Sequence, residues 1–255
     1  MTSLRSCFVL GAVLAMAVAS SPAQAQDSKF TASVNFGFQA GSGDISQSLQ
    51  PIIYDEAAKI DVAQTYENGP LVDIGGSYML FGKWGVGVAY SHTSGDGNAT
   101  IAAGIPDPKV TSPPGQFRTV ALSANGLKHN EDAVHVDVLY RFAATPKIDV
   151  TVGGGPTFFS MKQEFVTEFA VTETSPPPGP YVNPTVVPTI TGVKKSPVGF
   201  NIGADVTYML THSMGVGMLL RFAHANPSLD VPNTPTPIEV RAGGFQIGGG
   251  FRYRF

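Results

Sequence analysis

Charge is scarce in this chain. Of its 255 residues, 14% are Asp, Glu, Lys or Arg, 16 basic against 19 acidic, for a net charge of −3. No basic cluster interrupts that balance, which excludes a nucleic-acid binder that works by neutralising phosphates. Cysteine is limited to Cys7, so a disulfide framework and a thiolate metal site are excluded as well. His129, His212 and His224 lack metal-ligand spacing. The glycine runs 153–155 and 248–250 lie inside strand-like segments, not ahead of helices, so they cradle no phosphate. No cofactor is expected. Beyond the N-terminus no stretch approaches the roughly 18 apolar residues that a membrane-crossing helix needs. An apolar content of 43% beside so little charge argues against disorder, and for an exterior that only partly faces water.

Residues 1–25 read as an export leader. Arg5 precedes the apolar run Cys7–Ala19, and Ala23-Gln24-Ala25 puts small residues at the two positions a signal peptidase reads. Cleavage there removes Cys7 and leaves one domain, residues 26–255.

The rest of the chain alternates with period two, the signature of strands. Eight such runs occur, at 30–38, 72–80, 84–90, 134–142, 148–158, 198–208, 214–222 and 245–255. In the fourth, Val134, Val136, Val138, Tyr140 and Phe142 share one face, and His135, Asp137 and Arg141 the other. One face of every run is aliphatic and aromatic. The opposite face mixes glycine, small polar residues and charge, and holds few Lys or Glu. A water-facing surface would be rich in those two; a crowded lumen would not be. The aromatics also gather at the strand ends: Tyr78, Trp84, Tyr140, Phe142, Tyr208 and Tyr253 at one, Phe38, Tyr90, Phe158, Phe200 and Phe222 at the other. Such girdles suit the two interfaces of a lipid-facing barrel.

Connections alternate long and short: 40–69, 94–130, 160–197 and 226–239 are long, and 81–83, 144–146 and 211–213 are tight. The expectation is an all-β, eight-stranded antiparallel up-and-down transmembrane β-barrel of the bacterial outer membrane, with long extracellular loops and short periplasmic turns. Folding the fourth and fifth runs about Thr145 sets Arg141 opposite Asp149, and Pro156 suggests a bulge. Beyond Val134 and Phe158 the apolar residues change face, to Phe159, Met161, Phe165 and Phe169. That hairpin is therefore expected to continue above the bilayer, to Thr119 and Val171.

Inward positions carry Asp73, Asp137, Asp149 and Asp205 beside Arg141, Arg221, Arg252 and Arg254, with His135 among them. Charges confined in a narrow lumen must pair, so the expectation is a plug of ion pairs in which His135 is hydrogen-bonded. His92 and Ser94 are the one His and Ser at catalytic spacing, with Asp96 nearby as an orienting acid.

With this architecture the chain resembles the small eight-stranded bacterial outer-membrane barrels of the OmpA-like and OmpX-like group. The likeness rests on pattern along the whole mature chain. Its most specific piece is the terminus, where Gly250, Phe251, Tyr253 and Phe255 are similar to the signal read by the barrel-assembly machinery. His92-Thr93-Ser94 faintly resembles the His-x-Ser of outer-membrane lipid A deacylases, although those follow the Ser with Asn and this chain has Gly95. The resemblance implies outer-membrane lipids and lipopolysaccharide as surroundings, and an extracellular ligand or host surface as partner. The leading expectation is a non-enzymatic surface barrel with a plugged lumen. The alternatives are a narrow channel for ions or small solutes, and a lipid A-modifying enzyme. The 40–69 connection carries Asp44, Asp55, Glu56, Asp61 and Glu67 against Lys59, so cationic or cation-bridged partners are expected.

Overall fold

The computed structural model describes residues 29–108, 116–173 and 184–255. The expected leader, residues 1–25, lies outside them, as does the proline-rich stretch 175–180. Fifteen strands occur among the described residues. They are β1 (Phe30–Ala40), β2 (Ser42–Leu49), β3 (Ile52–Ile53), β4 (Glu56–Ala57), β5 (Lys59–Glu67), β6 (Pro70–Phe81), β7 (Trp84–Pro106) and β8 (Phe117–Thr145). After these come β9 (Ile148–Thr172), β10 (Thr185–Lys195), β11 (Val198–Met209), β12 (Met214–Ala225), β13 (Ser228–Leu229), β14 (Ile238–Glu239) and β15 (Ala242–Arg254).

Eight of them make a ring. Antiparallel ladders run from β1 to β6, β7, β8, β9, β11, β12 and β15, and β15 pairs with β1 again. Closure leaves no unpaired backbone edge to face hydrocarbon, which a strand-built membrane protein requires. The alternation decides which face meets lipid: Phe36, Val138, Ile202 and Phe251 are 60–68% exposed, whereas the alternate residues Asn35, Asp73, His135 and Gln246 are almost fully buried. Trp84 meets Tyr140 edge-on at 5.1 Å at one rim, and Phe200 lies 6.3 Å from Phe222 at the other. Where two strands run tightly together, glycine makes room, as at Gly250, whose Cβ would strike the Val34 carbonyl.

Much of what reads as loop is strand. β7, β8 and β9 have 23, 29 and 25 residues, whereas a tilted span needs about 9–11. Their upper parts project beyond the apolar belt. The β2–β5 hairpin is joined to the free side of upper β7, and β10 to that of upper β9. The result is a six-stranded extracellular sheet, β2-β5-β7-β8-β9-β10. Both strands of the expected hairpin extend past Thr119 and Val171, but they pair with each other only up to His129 and Gln163; beyond that β8 stays on β7 and β9 on β10, which corrects the expectation of one continuous hairpin.

The projecting sheet has its own core. Leu49, Ile60, Val62, Ile101, Ile105, Leu127 and Val166 are buried together. One extra residue keeps β8 in step: Gly97 pairs with Leu127 but Asn98 with Asn125, so Gly126, at φ +73°, is an unpaired bulge residue. Left-handed backbone there is cheap for glycine. The inward set of β8 thus changes from Leu127 to Ala124 while β7 keeps Ala99, Ile101 and Ala103 inward.

Two further expectations are corrected. The bulge sought at Pro156 is absent: His135 pairs with Thr157 and Val138 with Gly154, one register on both sides of it. The β8–β9 ladder shifts at the turn instead, between Ala143 and Thr145, so Arg141 stands opposite Thr151 and not Asp149.

Candidate functional site

The lumen gathers the charged residues that the sequence directs inward. Arg221 Nη1 donates to Asp73 Oδ2 at 2.8 Å, and Asn35 Nδ2, directly across the ladder, donates to Asp73 Oδ1 at 2.8 Å. Arg252 forks onto Asp205, its Nε 3.0 Å from Oδ2. Arg254, in place of Arg141, holds Asp149 at 2.6 Å. Arg141 turns to hydroxyls: Nη2 reaches Thr31 at 3.0 Å and Ser77 at 3.3 Å, and Nε reaches Thr151 at 3.3 Å. Asp137 accepts from Asn201 Nδ2 at 2.8 Å. His135 has both ring nitrogens engaged, with Ser91 Oγ and Thr157 Oγ1 each at 3.0 Å. A cavity of about 110 Å³ remains between Asp137, Arg141, Arg252 and the neighbouring hydroxyls. It is polar enough to hold water.

Sequence reasoning missed the upper half of this network. Gln246 accepts from Arg221 and donates to Gln39 Oε1 at 2.7 Å; Gln39 Nε2 donates to Glu131 Oε2 at 2.8 Å. Glu131 also accepts from the Gly243 N–H at 3.0 Å and contacts His129 Nε2 at 2.8 Å; His129 Nδ1 lies 2.5 Å from Gln163 Oε1. The signal was present. Glu131 and His129 continue the inward parity of Arg141, Asp137 and His135, but they lie beyond Val134, where the apolar alternation of the fourth run stops.

Above the network an apolar lid covers the mouth. Leu229, Val231 and Val240, from the connection around β13 and β14, pack with Phe159, Met161, Phe165 and Tyr66. The Tyr66 ring stacks on His129 at 4.5 Å, and its hydroxyl bonds both the N–H and the carbonyl of Arg241 at 3.0 Å. Burial first of all raises the pKa of this phenol.

Two further groupings lie outside the lumen. At the distal end Tyr54 Oη donates to Glu173 Oε1 at 2.7 Å, and Arg118 binds both carboxylate oxygens at 2.7 and 2.8 Å. The Arg118 hydrogen bonds hold the Glu173 carboxyl below its usual range, and burial chiefly raises Tyr54. On the outer face of β7 and β8, His92 Nδ1 is 2.8 Å from Asp132 Oδ1, which Tyr90 Oη also contacts at 2.5 Å. The acid beside His92 is therefore Asp132. Asp96, expected there, is held by Lys128 Nζ at 2.6 Å. No group of three or more metal-binding side chains is found among the described residues.

A closed ring with a polar interior and an apolar exterior bounded by aromatic rims defines a bacterial outer-membrane barrel. The chain belongs to the outer membrane protein beta-barrel domain family, whose pattern matches residues 11–255. Among solved structures it is similar to the outer membrane protein OprG from Pseudomonas aeruginosa, at 12% identity over 89% of this chain and 96% of that one, with a TM-score of 0.53. It is also similar to Neisserial surface protein A, at 10% identity over 89% and 97%, TM-score 0.43, and to the outer membrane protease OmpT from Escherichia coli, at 10% over 92% and 99%, TM-score 0.41. At such identities the likeness to OprG concerns the fold alone. No curated protein sequence matches the chain.

Proposed function

We propose that this protein is a plugged, non-enzymatic outer-membrane barrel that acts through its extracellular sheet. The observation that carries this reading is the filling of the lumen, by charge pairs, then amides, then the Leu229–Phe165 lid. An eight-stranded barrel is only wide enough for its own side chains, so such a filling leaves no solute path. Residues 1–25 serve as the export leader, and the C-terminal Gly250, Phe251, Tyr253 and Phe255 address the chain to the barrel-assembly machinery. Refolded protein in planar bilayers tests the plug. Silence is expected at neutral pH. Sustained steps in the wild type, altered by Arg221→Ala, would establish the channel instead.

A second reading is favoured by the His92–Asp132 bond, because a His oriented by a carboxylate, with Ser94 next on the same strand face, has the parts of an acyl-transfer site. Lipid A from cells expressing the wild type or Ser94→Ala distinguishes the readings. An acyl chain missing only with the wild type would make the protein an esterase.

A further inference from the structure

On the outer face of the projecting sheet, just past the apolar belt, Ser94, Asn130, Lys162 and Lys194 stand directly opposite one another across β7, β8, β9 and β10. Lys162 and Lys194 thus form a like-charge cross-strand pair, an arrangement that costs stability when nothing lies between the ammoniums. Among the described residues no carboxylate is ion-paired with either ammonium, although Glu164 is the neighbour of Lys162 on this face. The acids on this face are engaged elsewhere: Asp96 with the Lys128 ammonium, Glu164 with the Lys128 N–H at 2.9 Å, and Asp132 with His92 and Tyr90. Among the described residues neither lysine has an acid within 4.0 Å, whereas the adjacent Lys195 reaches Asp230 at 3.5 Å.

Depth supplies the second observation. Phe158 and Val198, directly paired and 48% and 65% exposed, are the last apolar residues of the belt on β9 and β11. Lys162 lies four residues beyond Phe158 and Lys194 four before Val198. That is about 13 Å of strand, shortened in height by the barrel tilt and by the reach of a lysine stem back toward the interface. Gly192, on the same face but opposite Glu164 and so one pair farther from the belt, has the Lys162 side chain lying across its bare backbone, and this stem has to turn back toward the belt to meet a phosphate.

We propose that Lys162 and Lys194 clamp a phosphate of the outer-leaflet glycolipid, lipopolysaccharide, whose acyl chains rest on the belt below. A phosphate between two ammoniums turns their repulsion into attraction, and the hydroxyl of Ser94 and the amide of Asn130 extend the row as polar neighbours. The proposal depends on the outer-membrane setting, and is independent of what the distal sheet binds and of whether Ser94 is catalytic.

The test uses full-length mature protein refolded in a neutral detergent, with native mass spectrometry and thermal unfolding as readouts. Diphosphoryl lipid A, dephosphorylated lipid A and phosphatidylglycerol are the probes. The wild type is expected to prefer diphosphoryl lipid A over its dephosphorylated form, and Lys162→Gln/Lys194→Gln to lose that preference by roughly tenfold or more. Lys162→Arg/Lys194→Arg should retain it. In lipid-free detergent the Gln variant should melt no lower than the wild type, because a repulsive pair has been removed. A Gln variant that binds diphosphoryl lipid A as tightly as the wild type would overturn the proposal. Equal loss toward dephosphorylated lipid A would also overturn it, as would a Gln variant that melts lower without lipid, which would mark the pair as structural. Stronger binding of phosphatidylglycerol than of lipid A would reassign the pair to generic anionic lipid and defeat the glycolipid assignment.

Discussion

Glu131 shows how much one lumen residue can hold. Its carboxylate, 2% exposed, joins three strands of the ring by contacting Gln39 on β1, the Gly243 N–H on β15 and His129 on its own strand. Truncation to Ala would leave a backbone N–H and two side chains without their partner in a dry interior. Removing one member of a buried charged network typically costs about 3–5 kcal/mol. Glu131→Ala is accordingly expected to unfold at clearly lower urea in detergent, and Glu131→Gln, which keeps an acceptor, to lose less. Equal stability of Glu131→Ala and the wild type would show that water replaces the carboxylate without loss. Arg141 teaches the converse. Period-two parity alone points it inward, but its partner depends on register, and a shift of two residues replaced Asp149 with the Thr151 hydroxyl.

Among the elements, the β2–β5 hairpin was the least readable. Its residues alternate, as in Ile60, Val62 and Gln64 against Asp61, Ala63 and Thr65, but the segment carries too few large apolar residues to stand out from a loop. It becomes a strand pair because upper β7 offers an edge and the sheet core offers burial. The tip turns through Tyr54 and Asp55, both in the left-handed region at φ 54° and 62°, the backbone of a tight hairpin turn. The tip is latched to β8 and β9 by Tyr54, Glu173 and Arg118. Because Glu173 titrates below its ordinary value of 4.5 in the folded protein, the latch contributes fully above that pH and is lost as pH falls through the lower folded value. Amide exchange, corrected for intrinsic rates, should show residues 52–58 losing protection on acidification before the lower part of β8 does. Glu173→Gln should make the tip equally labile at neutral pH. A tip whose protection is indifferent to both changes would mean that the apolar contacts of Leu49 and Ile53 hold it alone.

At the scale of the whole molecule, the barrel separates three environments: an aliphatic belt for acyl chains, a polar axis, and an extracellular sheet with an acidic flank. Asp44, Asp61 and Glu67 lie on the exposed faces of β2 and β5. If surface recognition is the role, cells displaying the wild type should adhere to a polylysine coat better than cells displaying Asp44→Asn/Asp61→Asn/Glu67→Gln, and the difference should vanish at high salt. No difference at low salt would remove charge as the basis of partner choice.

The eight strands of the ring, the direction of each face and the lipid-facing habitat were settled by the sequence alone, because side-chain alternation is a local property of extended backbone and every run repeats it. Which Arg meets which Asp, the Gly126 bulge, the Glu131 hub and the lid over the mouth were decided only by the closed fold. Partners across a lumen are set by register and by the stagger of a ring, quantities to which no single strand has access. A one- or two-residue slip leaves the alternation of a strand intact while exchanging its partners.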